Sequence, residues 1–328
     1  MTMMTAEEIF ARCNMRKVLN DADKKPEWII QGLIERGEQW IISGAPKTGK
    51  SRLALQLAVA ASLNSECIGF KANGHQKVLY MDMEMSERSC GSRALRLHGN
   101  DREKMSNNAN LFICKDFMNI NVLNSDDLAK VTPYINTIKP DLIVWDVLTR
   151  CHIAKENDNG EMAQVMLAFR KLCAGVAHIV VHHDKKPQFQ GGAMGAGAMR
   201  GASAIHGEVN GVLSIVRPNE AKNDYRLSLS GRDVNLPERM HLVGNDDLSF
   251  SAVLPPQKVS IESKLSDAFG AENTLTKTVL IDALKGSQSI KTVERLLKEG
   301  VEKGLLTSQR VGKAVEYTYL KSNQVCAV

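Results

Sequence analysis

The sequence predicts an α/β fold in which helices cover both faces of a mostly parallel, twisted β-sheet. From Trp28 onward, short apolar runs alternate with segments of helical length, the order that is typical of parallel sheets. The 328 residues are 43% hydrophobic and 24% charged, which is enough for a large core. The predicted strands are "EQWIIS" (38–43), "KVLYMDME" (77–84), "DLIVWD" (141–146), "HIVV" (178–181) and "GVLSIV" (211–216).

Charge, cysteines and the N-terminus limit the class of protein. The net charge of +5 permits an anionic partner without requiring one. The seven cysteines are scattered, without a C-x-x-C pair, so we expect reduced, packed thiols rather than a disulfide framework or a zinc site. The opening "MTMMTAEEIFARC" lacks a signal pattern, and no run approaches the roughly 20 apolar residues of a membrane span. We therefore expect a cytoplasmic protein without membrane contacts.

Composition changes divide the chain. The first residues are polar, and two prolines in "VLPPQK" (253–258) remove strand hydrogen-bond donors and mark a boundary. The predicted divisions are an N-terminal lead-in (1–27), a sheet-containing domain (28–254), a polar linker (255–273), a small C-terminal domain (274–321) and a tail (322–328).

The small domain has the pattern of a winged helix. "LTKTVLIDALKG" and "SIKTVERLLKEGVEKGLL" have apolar residues at helical spacing, and "LTSQRVGKAVEYTYL" is typical of two strands around a turn at Gly312. Residues 274–321 hold nine Lys or Arg against five Asp or Glu, a balance of +4. We expect DNA contacts there, with protein docking or a lid as the alternatives. The candidate DNA contacts are Lys291, Arg295 and Lys298 on one helix face and Arg310 and Lys313 on the wing.

The segment "GAPKTGKS" (44–51) carries the clearest chemical signal. It satisfies G-x-x-x-x-G-K-[ST] directly after a predicted strand and before the helical "RLALQLAVAASL". Its glycines let backbone N–H groups surround phosphate oxygens, while Lys50 would reach the β and γ phosphates and Ser51 would bind Mg²⁺. The predicted nucleotide-binding residues are Gly44, Ala45, Pro46, Lys47, Thr48, Gly49, Lys50, Ser51 and Arg52.

Two further strand ends supply carboxylates. Asp146 follows four buried-type residues in "DLIVWD" and is the predicted second metal ligand beside Ser51. Glu84 ends "VLYMDME" and is the predicted catalytic base that orients a water toward the γ phosphate. Asp82, two residues earlier on the same face, is the alternative base.

Together these motifs resemble the RecA-like ATPases of the plasmid RepA helicase group, over about residues 28–235. The resemblance is carried by "WIIQGLIERGEQWIISGAPKTGKS", "VLYMDMEMSERSCGSRALRL", "DLIVWDVLTRCHIAKENDNGEM", "HIVVHHDKK" and "RGASA", in the family's order. It implies a RecA-like P-loop core that uses ATP with Mg²⁺. It also implies a ring or filament, most often a hexamer, with nucleotide between subunits and single-stranded DNA as the track.

The resemblance assigns roles at matching positions. His182 and His183 match the histidine pair that senses the γ phosphate, and we count both with Lys50 and Glu84 as candidate catalytic residues. Asn210 stands where the family has an arginine finger. Candidates to replace that finger are Arg217, Lys222, Arg226 and Arg232.

A glycine-rich loop follows the histidine pair in "HIVVHHDKKPQFQGGAMGAGAMRGAS" (178–203). A pliable loop that begins at a γ-phosphate sensor could move with hydrolysis, and the corresponding family loop faces DNA. Its cations Lys185, Lys186 and Arg200 are candidate phosphate contacts. An ordinary flexible surface loop is the alternative.

The leading hypothesis is an ATP-dependent, DNA-associated motor similar to RepA-type replicative helicases. One alternative is a RecA-like recombination or annealing accessory ATPase without unwinding. Another is a regulatory ATP switch whose winged helix binds a partner, and replication or recombination proteins could dock there.

Overall fold

The structure is a computed structural model in which the chain forms two compact units, Met1–Val253 and Leu254–Val328. It describes residues 4–15, 19, 22–183, 202–219, 221–232, 234–253, 261–270, 272–285, 290–312 and 314–320. Within these ranges no helix has both the length and the apolar character needed to cross a membrane.

Thirteen strands lie within the described residues of the large unit. They are β1 (Trp28–Ile30), β2 (Ile34–Glu35), β3 (Gln39–Gly44), β4 (Glu66–Cys67), β5 (Phe70–Lys71), β6 (Val78–Asp82), β7 (Leu111–Cys114), β8 (Leu142–Asp146), β9 (Ala177–His183), β10 (Gly211–Val216), β11 (Asp224–Gly231), β12 (Arg239–Gly244) and β13 (Phe250–Val253). Nine of them form one sheet in the order β13-β12-β11-β10-β3-β9-β8-β6-β7. The five predicted strands correspond to β3, β6, β8, β9 and β10.

Pairing confirms the mostly parallel sheet. All neighbours from β10 to β7 are parallel, whereas β10, β11, β12 and β13 are joined by antiparallel pairs. The antiparallel strands thus extend one side of a six-stranded parallel core. The other four strands of this sheet, β7, β11, β12 and β13, are not among the five predicted ones.

Helices cover both faces of this sheet. They are α1 (Ala6–Cys13), α2 (Lys50–Ser62), α3 (Glu87–Leu97), α4 (Arg102–Ser106), α5 (Ser125–Ile138), α6 (Asn159–Leu172) and α7 (Ala202–Glu208), with a 3₁₀ turn at Leu148–Arg150. Successive strand residues point to opposite faces, so Trp40 packs with Leu57 of α2 on one face, whereas Ile41 belongs to the core of Phe169 of α6 on the other. Two hydrophobic layers therefore fix the strand ends in place.

The small unit has its own core. Its elements are α8 (Ile261–Phe269), β14 (Thr274–Thr276), α9 (Lys277–Lys285), α10 (Ile290–Glu302), β15 (Leu306–Val311) and β16 (Ala314–Tyr319), with the sheet order β14-β16-β15. The order of α9, α10 and the β15–β16 hairpin is the order that the winged-helix prediction requires.

The predicted linker 255–273 needs correction. Residues 254–260 lie outside the described residues, but α8 occupies much of the remainder. Leu265 and Phe269 of α8 are buried with Leu280 and Leu297, and the Phe269 ring stacks on Tyr319 at 5.5 Å. The surrounding serines and charged residues conceal this apolar face at the sequence level, because only its packing partners distinguish it from a polar linker.

Candidate active site

The predicted chemical groups meet at one edge of the parallel sheet. β3, β6, β8 and β9 are parallel, so their carboxyl ends lie at the same edge. Glu84 follows β6, Asp146 ends β8 and His183 ends β9, while the loop after β3 leads into α2. Open α/β sheets bind ligands at this edge.

The loop after β3 has the backbone of a phosphate site. Gly49 precedes α2 with φ +95°, in the left-handed region that favours glycine, and a side chain there would also meet the Phe250 ring at 2.8 Å. The first turn of α2 has no side-chain cap, so its N–H groups are available to an anion. Lys50 Nζ donates a hydrogen bond to the Ala45 carbonyl at 2.8 Å, which holds the ammonium over the loop.

Ser51 and Asp146 are in contact, although 95 residues separate them. The Ser51 hydroxyl donates to Asp146 Oδ1 at 3.0 Å, and the buried Tyr80 hydroxyl donates to Asp146 Oδ2 at 2.6 Å. Burial raises the pKa of Asp146 to about 6, and the two hydroxyl donors oppose that shift. Both carboxylate oxygens are thereby held in fixed orientations.

These groups fit a divalent cation of the Mg²⁺ type. Hydroxyl and carboxylate oxygens are the ligands that Mg²⁺ takes from proteins, usually one or two of them, with phosphate and water completing its shell. A nearby cation would favour the ionised form of Asp146 and so offset the effect of its burial. Tyr80 would act as the outer group that orients the carboxylate.

Asp82 and Glu84 have different environments. The Asp82 side chain is fully buried, forms an ion pair with Lys115 at 3.1 Å, and accepts hydrogen bonds from the backbone N–H groups of Glu84 and Met85. Glu84 is 40% exposed, and its Oε1 lies 4.0 Å from His183 Nε2. The geometry favours Glu84 as the base and gives Asp82 the task of holding the turn that presents it.

The two histidines also differ. They are consecutive on β9, so their side chains point to opposite faces of the sheet. His182 is fully buried, whereas His183 is partly exposed and faces Glu84. Of the two, only His183 borders the cavity at this edge, so the geometry does not support a phosphate contact for His182.

A cavity of about 400 Å³ joins the site. It is lined by Lys47, Gly49, Lys50, Ser51, Arg52, Glu84, Arg93, Asp146, Val147, Val181, His183, Tyr225 and Leu248. Sequence reasoning missed five of these residues: Arg93, Val147, Val181, Tyr225 and Leu248. Val147 and Val181 adjoin the predicted residues Asp146 and His182, and Arg93 could have been found from its position on the helix after Glu84. Tyr225 and Leu248 come from the antiparallel extension, whose pairing no short motif reveals.

Arg52 is placed differently from a phosphate ligand. Its guanidinium donates to the carbonyls of Leu248 and Ser249, and to that of Asn245 at 3.1 Å. It also lies 4.2 Å from the centre of the Phe250 ring. Arg52 therefore anchors the turn between β12 and β13 to the phosphate-loop helix, and this turn carries Leu248 into the cavity wall.

Asn210, at the expected finger position, lies at the opposite edge of the sheet. Its side-chain oxygen accepts from the Gln39 N–H at 3.1 Å, immediately before β10. Arg217 follows the carboxyl end of β10, and its guanidinium lies 5.3 Å from the ring centre of Tyr225, a residue of the cavity wall. Arg226 lies exposed on β11, and Arg232 donates to the Gly207 carbonyl.

The predicted DNA contacts belong to the small unit or fall beyond the described residues. Lys185, Lys186, Arg200 and Lys313 fall outside the described residues. In the small unit Lys291, Arg295 and Lys298 are exposed on α10 and Arg310 is exposed on β15. Lys298 lies 3.7 Å from Glu302, which partly neutralises that face.

Comparison with known proteins gives a family and a fold. A family model described as an AAA domain matches residues 9–188. No curated protein matches the chain. One solved structure, an ATPase domain on its own, superposes with a TM-score of 0.56 at 15% identity, covering 77% of this chain and 100% of that one. A second solved structure, "The Structure Of A DnaB-Like Replicative Helicase And Its Interactions With Primase", superposes with a TM-score of 0.55 at 16% identity. The match covers 77% of this chain and 67% of that one. At these identities the likeness is one of fold.

Proposed function

This chain belongs to the AAA-domain family and is an ATPase with a RecA-like fold, and on that premise we propose that it is a DNA motor similar to RepA-type replicative helicases. The observation that carries the proposal is the contact of Ser51 with Asp146 beside Lys50 and Glu84, all around one cavity. This is the set of groups that phosphoryl transfer needs: a phosphate cradle, metal ligands and a carboxylate that positions water.

Each residue has a separate task in this proposal. The N–H groups at the start of α2 and the Lys50 ammonium bind the β and γ phosphates, which replace the Ala45 carbonyl as the partner of Lys50. Mg²⁺, held by Ser51 and Asp146, would supply positive charge to the phosphate oxygens. Glu84 accepts a proton from the attacking water, and His183, 4.0 Å away, reports the presence of the γ phosphate.

Single-stranded DNA and a ring of subunits, most often six, complete the proposal. Support comes from the fold, which is shared with the solved ATPase domain and with the DnaB-like replicative helicase. The nucleotide would lie between subunits, and the loop at 184–201, outside the described residues, would contact DNA. Arg217 is the proposed finger, because it lies at the edge of the sheet that carries the nucleotide cavity.

The decisive experiment compares wild type with Lys50→Ala. Wild type should hydrolyse ATP faster when single-stranded DNA is added, and it should displace a strand from a forked duplex. Lys50→Ala should lose hydrolysis and displacement together, because the phosphate cation is gone. If DNA stimulates hydrolysis but no strand is displaced, the protein does not unwind duplexes. If the rate of hydrolysis is the same with and without DNA, the protein is not a DNA motor.

We propose the small unit as a second DNA contact. Lys291 and Arg295 on α10 are exposed and form no ion pair with any residue that the structure describes, in contrast to Lys298. Lys291→Gln/Arg295→Gln should therefore weaken DNA binding and reduce its salt dependence. Lys298→Gln, which removes an already paired charge, is the matched control.

A further inference from the structure

An unpaired group of arginines lies beside the candidate nucleotide cavity. Helix α3 carries Arg88, Arg93 and Arg96, and α4 begins with Arg102. None of the four forms an ion pair or hydrogen bond with any residue in the described part of the chain. Arg93 and Arg96 are three residues apart and so are neighbours on the helix surface, where like charges are destabilising. The group therefore indicates a partner that carries negative charge.

The arginines line two connected depressions. The first, of about 310 Å³, is bordered by Arg88, Arg93 and Arg96, and the second, of about 540 Å³, by Arg88 and Arg102. Arg88 and Ser92 belong to both. The first depression also shares Arg93 and Leu248 with the nucleotide cavity. We call the two depressions the arginine trench; it runs from the nucleotide cavity along α3 to α4.

The lining of the arginine trench suits phosphate groups. A guanidinium can donate two parallel hydrogen bonds to a phosphate, and it stays charged at every physiological pH. Serine hydroxyls at Ser86, Ser89 and Ser92 lie among the arginines and can donate to further phosphate oxygens. No aromatic side chain is among the described residues that line either depression, so bases have no stacking platform there.

We propose that the arginine trench binds the sugar-phosphate backbone of a nucleic-acid strand. This inference rests on the proposed function for the identity of the partner, and it adds a contact surface outside the glycine-rich loop and the small unit. Binding there is through phosphates and hence independent of base sequence. The strand lies against Arg93 and Leu248, the residues that also form the nucleotide wall.

A second copy of the chain is the competing partner, and its carboxylates argue against it. Asp127 accepts the Asn121 N–H and the Lys130 ammonium, both at 2.9 Å. Asp158 caps α6, and Glu161 accepts the Lys155 N–H at 2.7 Å. These three carboxylates are engaged within their own chain, so each of them is less available to the arginines of a second copy than the phosphates of a nucleic-acid backbone are.

The test is a salt titration of binding to a labelled single-stranded oligonucleotide, followed by fluorescence anisotropy. The trench variant is Arg88→Gln/Arg96→Gln/Arg102→Gln. The matched control, Lys71→Gln/Lys139→Gln/Lys171→Gln, removes the same charge from exposed sites that do not line the trench. Three lost phosphate contacts reduce the slope of log K against log salt by about 2, and the affinity at 0.1 M salt by about 100-fold. The control keeps the wild-type slope.

Each other result overturns the proposal in a distinguishable way. If the trench variant keeps the wild-type slope of log K against log salt, the trench does not bind the strand, whereas the proposed DNA motor is unaffected. Absence of DNA binding by all three proteins rejects the DNA motor as well. Loss of ATP-dependent self-association in light scattering, with an unchanged DNA slope, makes the trench a contact between copies. Thermal unfolding checks that the variant folds; if the triple variant does not, Arg102→Gln alone must lower the slope by about 0.7.

Discussion

The two ends of the same parallel strands serve different purposes in this protein. At the amino end, Asp141 accepts the Lys77 N–H at 2.9 Å and Arg36 at 2.8 Å, and Asn210 accepts the Gln39 N–H. At the carboxyl end, Asp146 and Glu84 face a cavity of about 400 Å³. Polar side chains are present at both edges, so polarity alone does not mark the site.

Helix direction explains the difference. The carboxyl end of a strand is followed by the N-terminus of the next helix, where free N–H groups and the helix dipole attract anions. The amino end receives helix C-termini, and here its polar groups are bound to neighbouring backbone. Substitutions at the carboxyl edge should thus change catalysis, and substitutions at the amino edge should change stability.

The largest effect is expected at Glu84. Glu84→Gln should slow ATP hydrolysis by about 10² to 10⁴-fold while ATP still binds, because only the proton acceptor is lost. Asp82→Asn, at the same edge, should lower the free energy of unfolding by about 1 to 3 kcal/mol because it breaks the buried pair with Lys115. It should slow hydrolysis less than Glu84→Gln does, because Asp82 acts only through the turn that presents Glu84. Single-turnover hydrolysis and thermal unfolding measure the two effects, and wild-type hydrolysis by Glu84→Gln would show that another group is the base.

The next effect concerns pH at the amino edge. Burial lowers the pKa of His178 to about 4, and its Nε2 has no hydrogen-bond partner among the described residues. The unfolded chain takes up this proton near pH 6.5. The stability that the neutral imidazole allows is therefore present above pH 6.5 and is lost as the pH falls toward 4.

Urea unfolding can measure this loss. Between pH 7.5 and 5, the buried histidine should reduce the free energy of unfolding by about 2 kcal/mol. Tryptophan fluorescence reports the large unit, because Trp28, Trp40 and Trp145 all lie there. His178→Gln should flatten this pH dependence, whereas the exposed His241→Gln should retain it. Identical pH profiles for His178→Gln and wild type would contradict the assignment.

A smaller effect is expected at Tyr80. Tyr80→Phe removes the hydroxyl that orients Asp146, and loss of such an outer group weakens metal affinity by about 10 to 100-fold. The Mg²⁺ concentration for half-maximal ATP hydrolysis should rise accordingly. Tyr134→Phe, which removes a hydroxyl donor to Asp116 instead, should leave it unchanged. If Tyr80→Phe and wild type need the same Mg²⁺ concentration for half-maximal hydrolysis, Tyr80 has no role in metal binding.

The smallest effect is expected at Asn210. Asn210→Ala should lower the free energy of unfolding by about 1 kcal/mol through the lost hydrogen bond to Gln39, with ATP turnover as in wild type. Chemical unfolding and steady-state hydrolysis can be followed on the same sample. Slower turnover that is rescued in mixed subunits would instead give Asn210 a role in a neighbour's site.

Local sequence determined much of this protein. The glycines and Lys50 of the phosphate loop act through their own backbone and a strand–loop–helix context, which neighbouring residues specify. The five buried strands are apolar runs whose ends could be located to within a few residues, and Asp146 is the last residue of one of them. These features depend on patterns of neighbouring residues, so they can be predicted without knowledge of the tertiary structure.

Only the tertiary structure decided the rest. The different environments of Asp82 and Glu84 depend on Lys115, 33 residues beyond Asp82. Which histidine of the pair faces the cavity depends on the orientation of β9. Arg52 contacts Leu248 because β13, the outermost strand of the sheet, pairs with β12 and brings the turn between them to the phosphate-loop helix. Such contacts join segments far apart in the chain, and their energies come from burial and pairing that exist only once the sheet has formed.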